Sequence, residues 1–226
     1  MIKPLYLLAD SQLLFGESGV ARRIRAELPQ NSDVKAAYIG ASNDDLPEFY
    51  DLFVAAMELM EITQCRMVPS LLSPEDRAFL NAADLILLAG GDVERGWASF
   101  EQNGVKDLIP RKRLEGATLL GISAGAVQLG MGSLSSAPQP KKVEMFRFAP
   151  FYVSAHDEKN DWWDLRALVR LSQPGIRGIG IPAGGGAVYW PDGTLEPLRR
   201  PLTELVKEDD QIREQLLMPS VAAPGV

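Results

Sequence analysis

Four short, almost wholly apolar runs recur through the first half of the chain: Leu5 to Ala9, Val34 to Ile39, Leu85 to Ala89 and Ala117 to Ile122. A run apolar on both faces describes a strand covered on both sides, not one that alternates toward solvent. The intervals between them carry helix signals. Phe49, Leu52, Phe53, Ala56 and Met60 repeat at helical spacing, which predicts one face turned inward. Ser73-Pro74-Glu75-Asp76 has the form of a capping box with proline at the first helical position. A further helix is expected around Trp97 and Phe100. Strands separated by helices need crossover connections, which force neighbouring strands to run parallel. The predicted class is therefore α/β: a three-layer sandwich with a mostly parallel central sheet, in a single domain over 1–226.

The second half is less regular. Residues 132–142 read as a surface loop, and Phe146 and Phe148 suggest a period-two strand. A helix is expected over 161–171, and strands over 176–181 and 187–190. Pro191-Asp192-Gly193 marks a turn into a hairpin. Residues 202–217 read as a charged amphipathic helix, and 219–226 as a flexible tail.

Charge narrows the function. The 226 residues include 23 Lys plus Arg and 30 Asp plus Glu, a net charge of −7. Neither nucleic acid nor an anionic membrane is expected as a partner of such a surface. Cys65 is the lone cysteine, so an intrachain disulfide and Cys-rich zinc sites are excluded. No apolar stretch approaches the roughly 18 residues of a membrane span. The run at 5–9 is too short for a signal-peptide core. A cytoplasmic location follows as the expectation.

Gly121-Ile122-Ser123-Ala124-Gly125 matches G-x-S-x-G directly after a predicted strand and before a predicted helix. That is the setting of a nucleophile elbow, where a serine on a tight strand-to-helix turn needs small neighbours. A serine hydroxyl attacks well only when a base takes its proton. The chain holds one histidine, His156, so a Ser-His pair must join Ser123 to His156. Lys159 is the fallback base. Gly90-Gly91-Asp92 follows the third apolar run, and glycines past a parallel strand's carboxyl end let a ligand approach the backbone. Asp92 is equally suited to cap the helix that follows.

Leu88-Ala89-Gly90-Gly91-Asp92, Gly121 to Ala126, His156 and Gly178-Ile179-Gly180-Ile181 stand in the order found in the dipeptidase E and cyanophycinase family of serine peptidases, which this chain resembles over roughly residues 5 to 198. The resemblance implies a class I glutamine amidotransferase-like fold and hydrolysis of a small peptide or isopeptide bond. It implies Ser123 as nucleophile, His156 as base, and the Gly91 and Ala124 amides as oxyanion hole. Gly90 and Asp92 are then expected beside the substrate. Two places depart from the family pattern. Pro182-Ala183 stands where relatives carry an acid, which leaves Asp157, Glu158 and Asp161 as candidates to orient His156, with Glu144 more remote. Relatives follow the histidine with arginines; here the nearest is Arg166, the candidate substrate contact.

The expected activity is that of a serine hydrolase on a small peptide or amide, with no metal or organic cofactor. The alternative is a catalytically impaired relative that binds a small ligand on the same scaffold. A glutamine amidotransferase needs an elbow cysteine, and Cys65 is far from the elbow in sequence. Trp162 and Trp163 are candidates for a pocket wall, a homodimer contact or core packing.

Overall fold

The computed structural model describes residues 1–16, 19–30, 33–209 and 211–220. The first half alternates as its apolar runs require: β1 (Leu5–Leu8), α1 (Val20–Ala26), β2 (Lys35–Ile39), α2 (Pro47–Glu58), β3 (Gln64–Val68), α3 (Pro74–Ala82), β4 (Leu85–Leu88), α4 (Val93–Asn103), α5 (Val105–Glu115), β5 (Thr118–Ile122) and α6 (Ala124–Leu129). The capping box at α3 is formed. Ser73 Oγ accepts from the Asp76 N–H at 3.1 Å, and Asp76 accepts from the Ser73 N–H at 3.2 Å. The second half adds β6 (Gly132–Leu134), β7 (Lys142–Glu144), β8 (Phe151–Ala155), α7 (Trp163–Arg170), β9 (Arg177–Ile181), β10 (Gly186–Tyr189), β11 (Leu195–Leu198), β12 (Leu202–Glu208) and β13 (Gln211–Leu217).

Among the described residues the largest sheet has seven strands in the order β11-β10-β1-β5-β4-β2-β3. The five strands β1, β5, β4, β2 and β3 are parallel, and β10 and β11 close the edge antiparallel. The period of two sorts the side chains. Leu5 and Leu7 enter the core beneath α4, α5 and α6, whereas Tyr6 and Leu8 enter the core beneath α1 and α2. A second sheet, β13-β12-β9-β8, joins the first of these cores through Phe151, Val153, Ile179 and Ile181. Its other face is covered by α7 through Leu165, Leu168 and Val169. Gly178 and Gly180 face that helix. A methyl group on Gly180 would sit 2.7 Å from the Trp162 ring, so bare backbone is what admits the tryptophan. Trp162 is thus core, while Trp163 is exposed.

Four expectations are corrected. Residues 202–217 are not a helix but the antiparallel pair β12 and β13, with Glu208 opposite Gln211 and Asp209 at a φ of 52° in the turn. The charges that imitate a helical outer face are cross-strand partners. Arg177 Nε donates to Glu204 Oε1 at 2.5 Å, and Gln215 donates to the other Glu204 oxygen. Phe146 and Phe148 lie outside any strand. Phe146 stacks on Phe148 at 5.1 Å and packs edge-on against Trp97 at 4.9 Å. The 132–142 loop includes β6 and the start of β7. Phe49 and Leu52 do not turn inward, as described below. The tail read over 219–226 falls mostly on 221–226, which lie outside the described residues. No described helix is long and apolar enough to cross a membrane.

Candidate active site

The carboxyl ends of β1, β5 and β4, neighbours in the large sheet, bring Asp10, Ser123 and Gly91 to one edge. Open α/β sheets bind ligands at such an edge. Ser123 links β5 to α6 with φ 49° and ψ −109°, a conformation an L-residue adopts only under compulsion. The compulsion comes from its surroundings. The Ser123 N–H donates to the Leu8 carbonyl at 2.8 Å, and the Ser123 carbonyl accepts from Ala126 N at 2.9 Å. Gly125 sits so close to β4 that a Cβ there would lie 2.1 Å from the Leu88 carbonyl oxygen. The glycine of the motif therefore lets α6 start against the sheet and turns the serine outward.

His156 follows β8 on the second sheet. Its backbone N–H donates to the Ile181 carbonyl at 2.8 Å, and its φ is 48°. Ser123 Oγ lies 2.7 Å from His156 Nε2. For the hydroxyl to donate, Nε2 must be bare and the imidazole proton must sit on Nδ1. Among the described residues no carboxylate bonds that Nδ1. The candidate acids are engaged elsewhere. Asp157 accepts from Asn160 Nδ2 at 2.8 Å, Glu158 accepts from the Ala183 N–H at 3.3 Å, and Asp161 accepts from Arg166 at 2.9 Å. Glu144 pairs with Arg147.

The Gly90-Gly91-Asp92 turn is held over the loop after β2. The Asp92 N–H donates to the Ser42 carbonyl at 2.7 Å, and Gln128 Nε2 donates to Ser42 Oγ and to the Val93 carbonyl, each at 3.1 Å. Among the described residues neither the Gly91 nor the Ala124 N–H donates to a protein acceptor. Asp92 caps α4 by accepting from the Arg95 N–H at 2.8 Å, the structural role weighed above. Arg166 borders neither cavity at the site. It is bound to Asp161 and Glu214, fastening α7 to β13.

Two cavities meet at the pair. Both are bordered by Gly91, Ser123 and His156. One, of about 350 Å³, extends under α2 past Gly90, Leu14, Tyr38, Phe49, Leu52 and Phe53. The other, of about 310 Å³, runs toward α7 and includes Ala124, Ser133, Asp157 and Asp164. Sequence reasoning missed the first, because it assigned Phe49 and Leu52 to the core. The signal was present: Phe49 and Leu52 add to the apolar residues Phe53, Ala56 and Met57 that α2 already buries in the core.

No protein-family model matches the sequence, and no curated protein sequence matches it significantly. Solved structures do match. A peptidase from an acI-B1 Actinobacterium superposes with a TM-score of 0.66 at 19% identity, over 98% of this chain and 96% of that one. A proposed peptidase E protein from Listeria monocytogenes EGD-e gives a TM-score of 0.59 at 16% identity, over 96% of this chain and 100% of that one. On this peptidase E-like fold the chain's own serine and histidine occupy the edge just described.

Cys65 lies on β3, the outer strand of the large sheet, away from that edge. Burial pushes its thiol up to about 11, so only a very small fraction is thiolate at neutral pH. Iodoacetamide at pH 7.5 is expected to leave any hydrolytic rate unchanged. Loss of rate in step with alkylation of Cys65 would place a thiol in the chemistry.

Proposed function

We propose that the protein is a serine peptidase or amidase acting on a small peptide through a Ser123–His156 dyad. The observation that carries this reading is the 2.7 Å approach of Oγ to Nε2 at a serine held in a strained turn. His156 takes the hydroxyl proton as Ser123 attacks the carbonyl, and later passes it to the leaving amine. The amides of Gly91 and Ala124 receive the developing oxyanion, a contribution of about 3 kcal/mol for a single donor in comparable enzymes. Water then attacks the acyl-enzyme, with His156 again as base. No step calls for a metal or organic cofactor.

With no carboxylate on Nδ1 among the described residues, the bond from the His156 N–H to Ile181 fixes only where the side chain leaves the backbone, and the ring's hydrogen-bond partner is Ser123. Asp157→Asn, Glu158→Gln and Asp161→Asn are each expected to change kcat by less than about tenfold, against the roughly 10⁴-fold loss typical when a true triad acid is neutralised. A 10⁴-fold fall in one of them would identify the third member. The function itself is tested on a panel of dipeptides, with liberated amine as the readout. Turnover by the wild type and none by Ser123→Ala supports the reading. Equal turnover by both proteins ends it. The second reading, a ligand-binding relative without turnover, is favoured by the same absent carboxylate. It requires a dipeptide to bind unhydrolysed to the wild type.

A further inference from the structure

The apolar cavity under α2 points to the side chain that the enzyme selects. Phe49 and Leu52 remain 48% and 46% exposed at its mouth, while Phe53 is buried behind them. Exposed apolar side chains that rim a cavity open to a nucleophile leave surface which an apolar ligand group would remove from water. Its volume of about 350 Å³ is ample for an aromatic or a branched aliphatic side chain. Among the described residues no lysine or arginine borders it. The one carboxylate that borders it among the described residues, Asp10, is already committed, accepting from the N–H groups of Gln12 at 2.9 Å and Gly184 at 2.6 Å. An incoming carboxylate would lose its hydration there, gain no counter-charge and face Asp10.

The second cavity has the opposite character. Asp157 and Asp164 border it, again with no lysine or arginine among the described residues. The amine expelled from an amide leaves neutral, carrying the one proton that His156 passes to it, and takes a second from solvent; carboxylates beside it favour the ammonium that results. The leaving group therefore belongs on the α7 side and the acyl group under α2.

We infer that the residue contributing the scissile carbonyl carries a large apolar side chain, seated against Phe49, Leu52 and Phe53, and is not acidic. This rests on the Ser123–His156 reading above and specifies its substrate. Hydrolysis follows the balance already given: the acyl carbon exchanges its leaving group for Ser123 Oγ, and then Oγ for water.

The test uses N-acetyl amino acid p-nitrophenyl esters with Phe, Leu, Ala or Asp side chains, so that the leaving group is constant. Wild-type kcat/KM is expected to be about 10- to 100-fold higher for Phe and Leu than for Ala, with Asp the poorest. In Leu52→Lys, and independently in Phe49→Ser, the Phe-to-Ala ratio should fall toward one. Leu52→Lys should also raise the Asp-to-Ala ratio. Both positions lie on the exposed face of α2, where such residues are tolerated in a helix. Ser123-dependent hydrolysis that prefers Asp, or an apolar preference indifferent to both variants, overturns the inference and leaves the dyad standing. Absence of Ser123-dependent hydrolysis for every ester overturns the dyad and the inference together.

Discussion

Ser123→Gly is expected to abolish hydrolysis and, in the same protein, to raise the melting temperature. Removal of the attacking hydroxyl should lower kcat by at least about 10⁴-fold, since among the described residues Ser123 carries the hydroxyl that the imidazole reaches. The stability gain has a separate origin. The φ of 49° and ψ of −109° are the mirror image of a conformation L-residues favour, so glycine adopts them freely. Relief of about 1–3 kcal/mol of backbone strain is partly offset by about 0.5–1 kcal/mol for glycine's greater freedom when unfolded. A net gain of about 1 kcal/mol raises Tm by roughly 2–4 °C in a chain of this size. Calorimetry beside a turnover assay reads both. An inactive variant of lowered Tm would mean that the turn is not strained as described.

Gly91→Ala is the second large effect, and it acts without touching either member of the dyad. Gly91 has a φ of 128°, and a Cβ there would fall 2.1 Å from the Ser42 carbonyl oxygen. The turn must move away, and its amide leaves the place where the oxyanion forms. A fall in kcat of about 10²- to 10³-fold is expected, the usual cost of one lost oxyanion donor. KM should change little, because the contact is made in the transition state. Overpacking against the loop after β2 should also lower stability by about 1–3 kcal/mol. Steady-state kinetics together with a urea melt separates these effects. Wild-type kcat in a folded Gly91→Ala protein would remove this turn from the oxyanion hole.

The parts of the molecule legible in the sequence are those where one local rule acts alone. Strands covered on both faces cannot hide their apolar runs, so β1, β2, β4 and β5 were readable at once. Ser123 announced itself because its turn admits only small neighbours, and His156 because the chain offers no other imidazole. The Gly178 and Gly180 pattern was visible as a motif, but its reason is tertiary: Trp162 fills the space their missing side chains leave. Where two rules compete, reading failed. Leu202 and Leu205 stand three apart among charges, which imitates a helix, yet Glu204 finds Arg177 on the neighbouring strand, and β12 forms instead. The partners of Arg166, Asp161 and Glu214, are set by tertiary packing and are not legible from its place after the histidine. Phe49 and Leu52 obey the spacing of a core helix, and only the cavity beneath α2 shows why they remain at the surface.

These features converge on a division of labour at the sheet edge. The sheet and α6 force the serine outward, β8 carries the imidazole to it from a separate sheet, and α2 shapes the space beyond. The most direct test of that arrangement is intact-mass measurement after exposure to a fluorophosphonate, followed by peptide mapping. One adduct per chain is expected, on Ser123, absent from Ser123→Ala and formed far more slowly by His156→Ala. An adduct on another residue, or labelling of Ser123 at an undiminished rate without the imidazole, would contradict the pairing on which the mechanism depends.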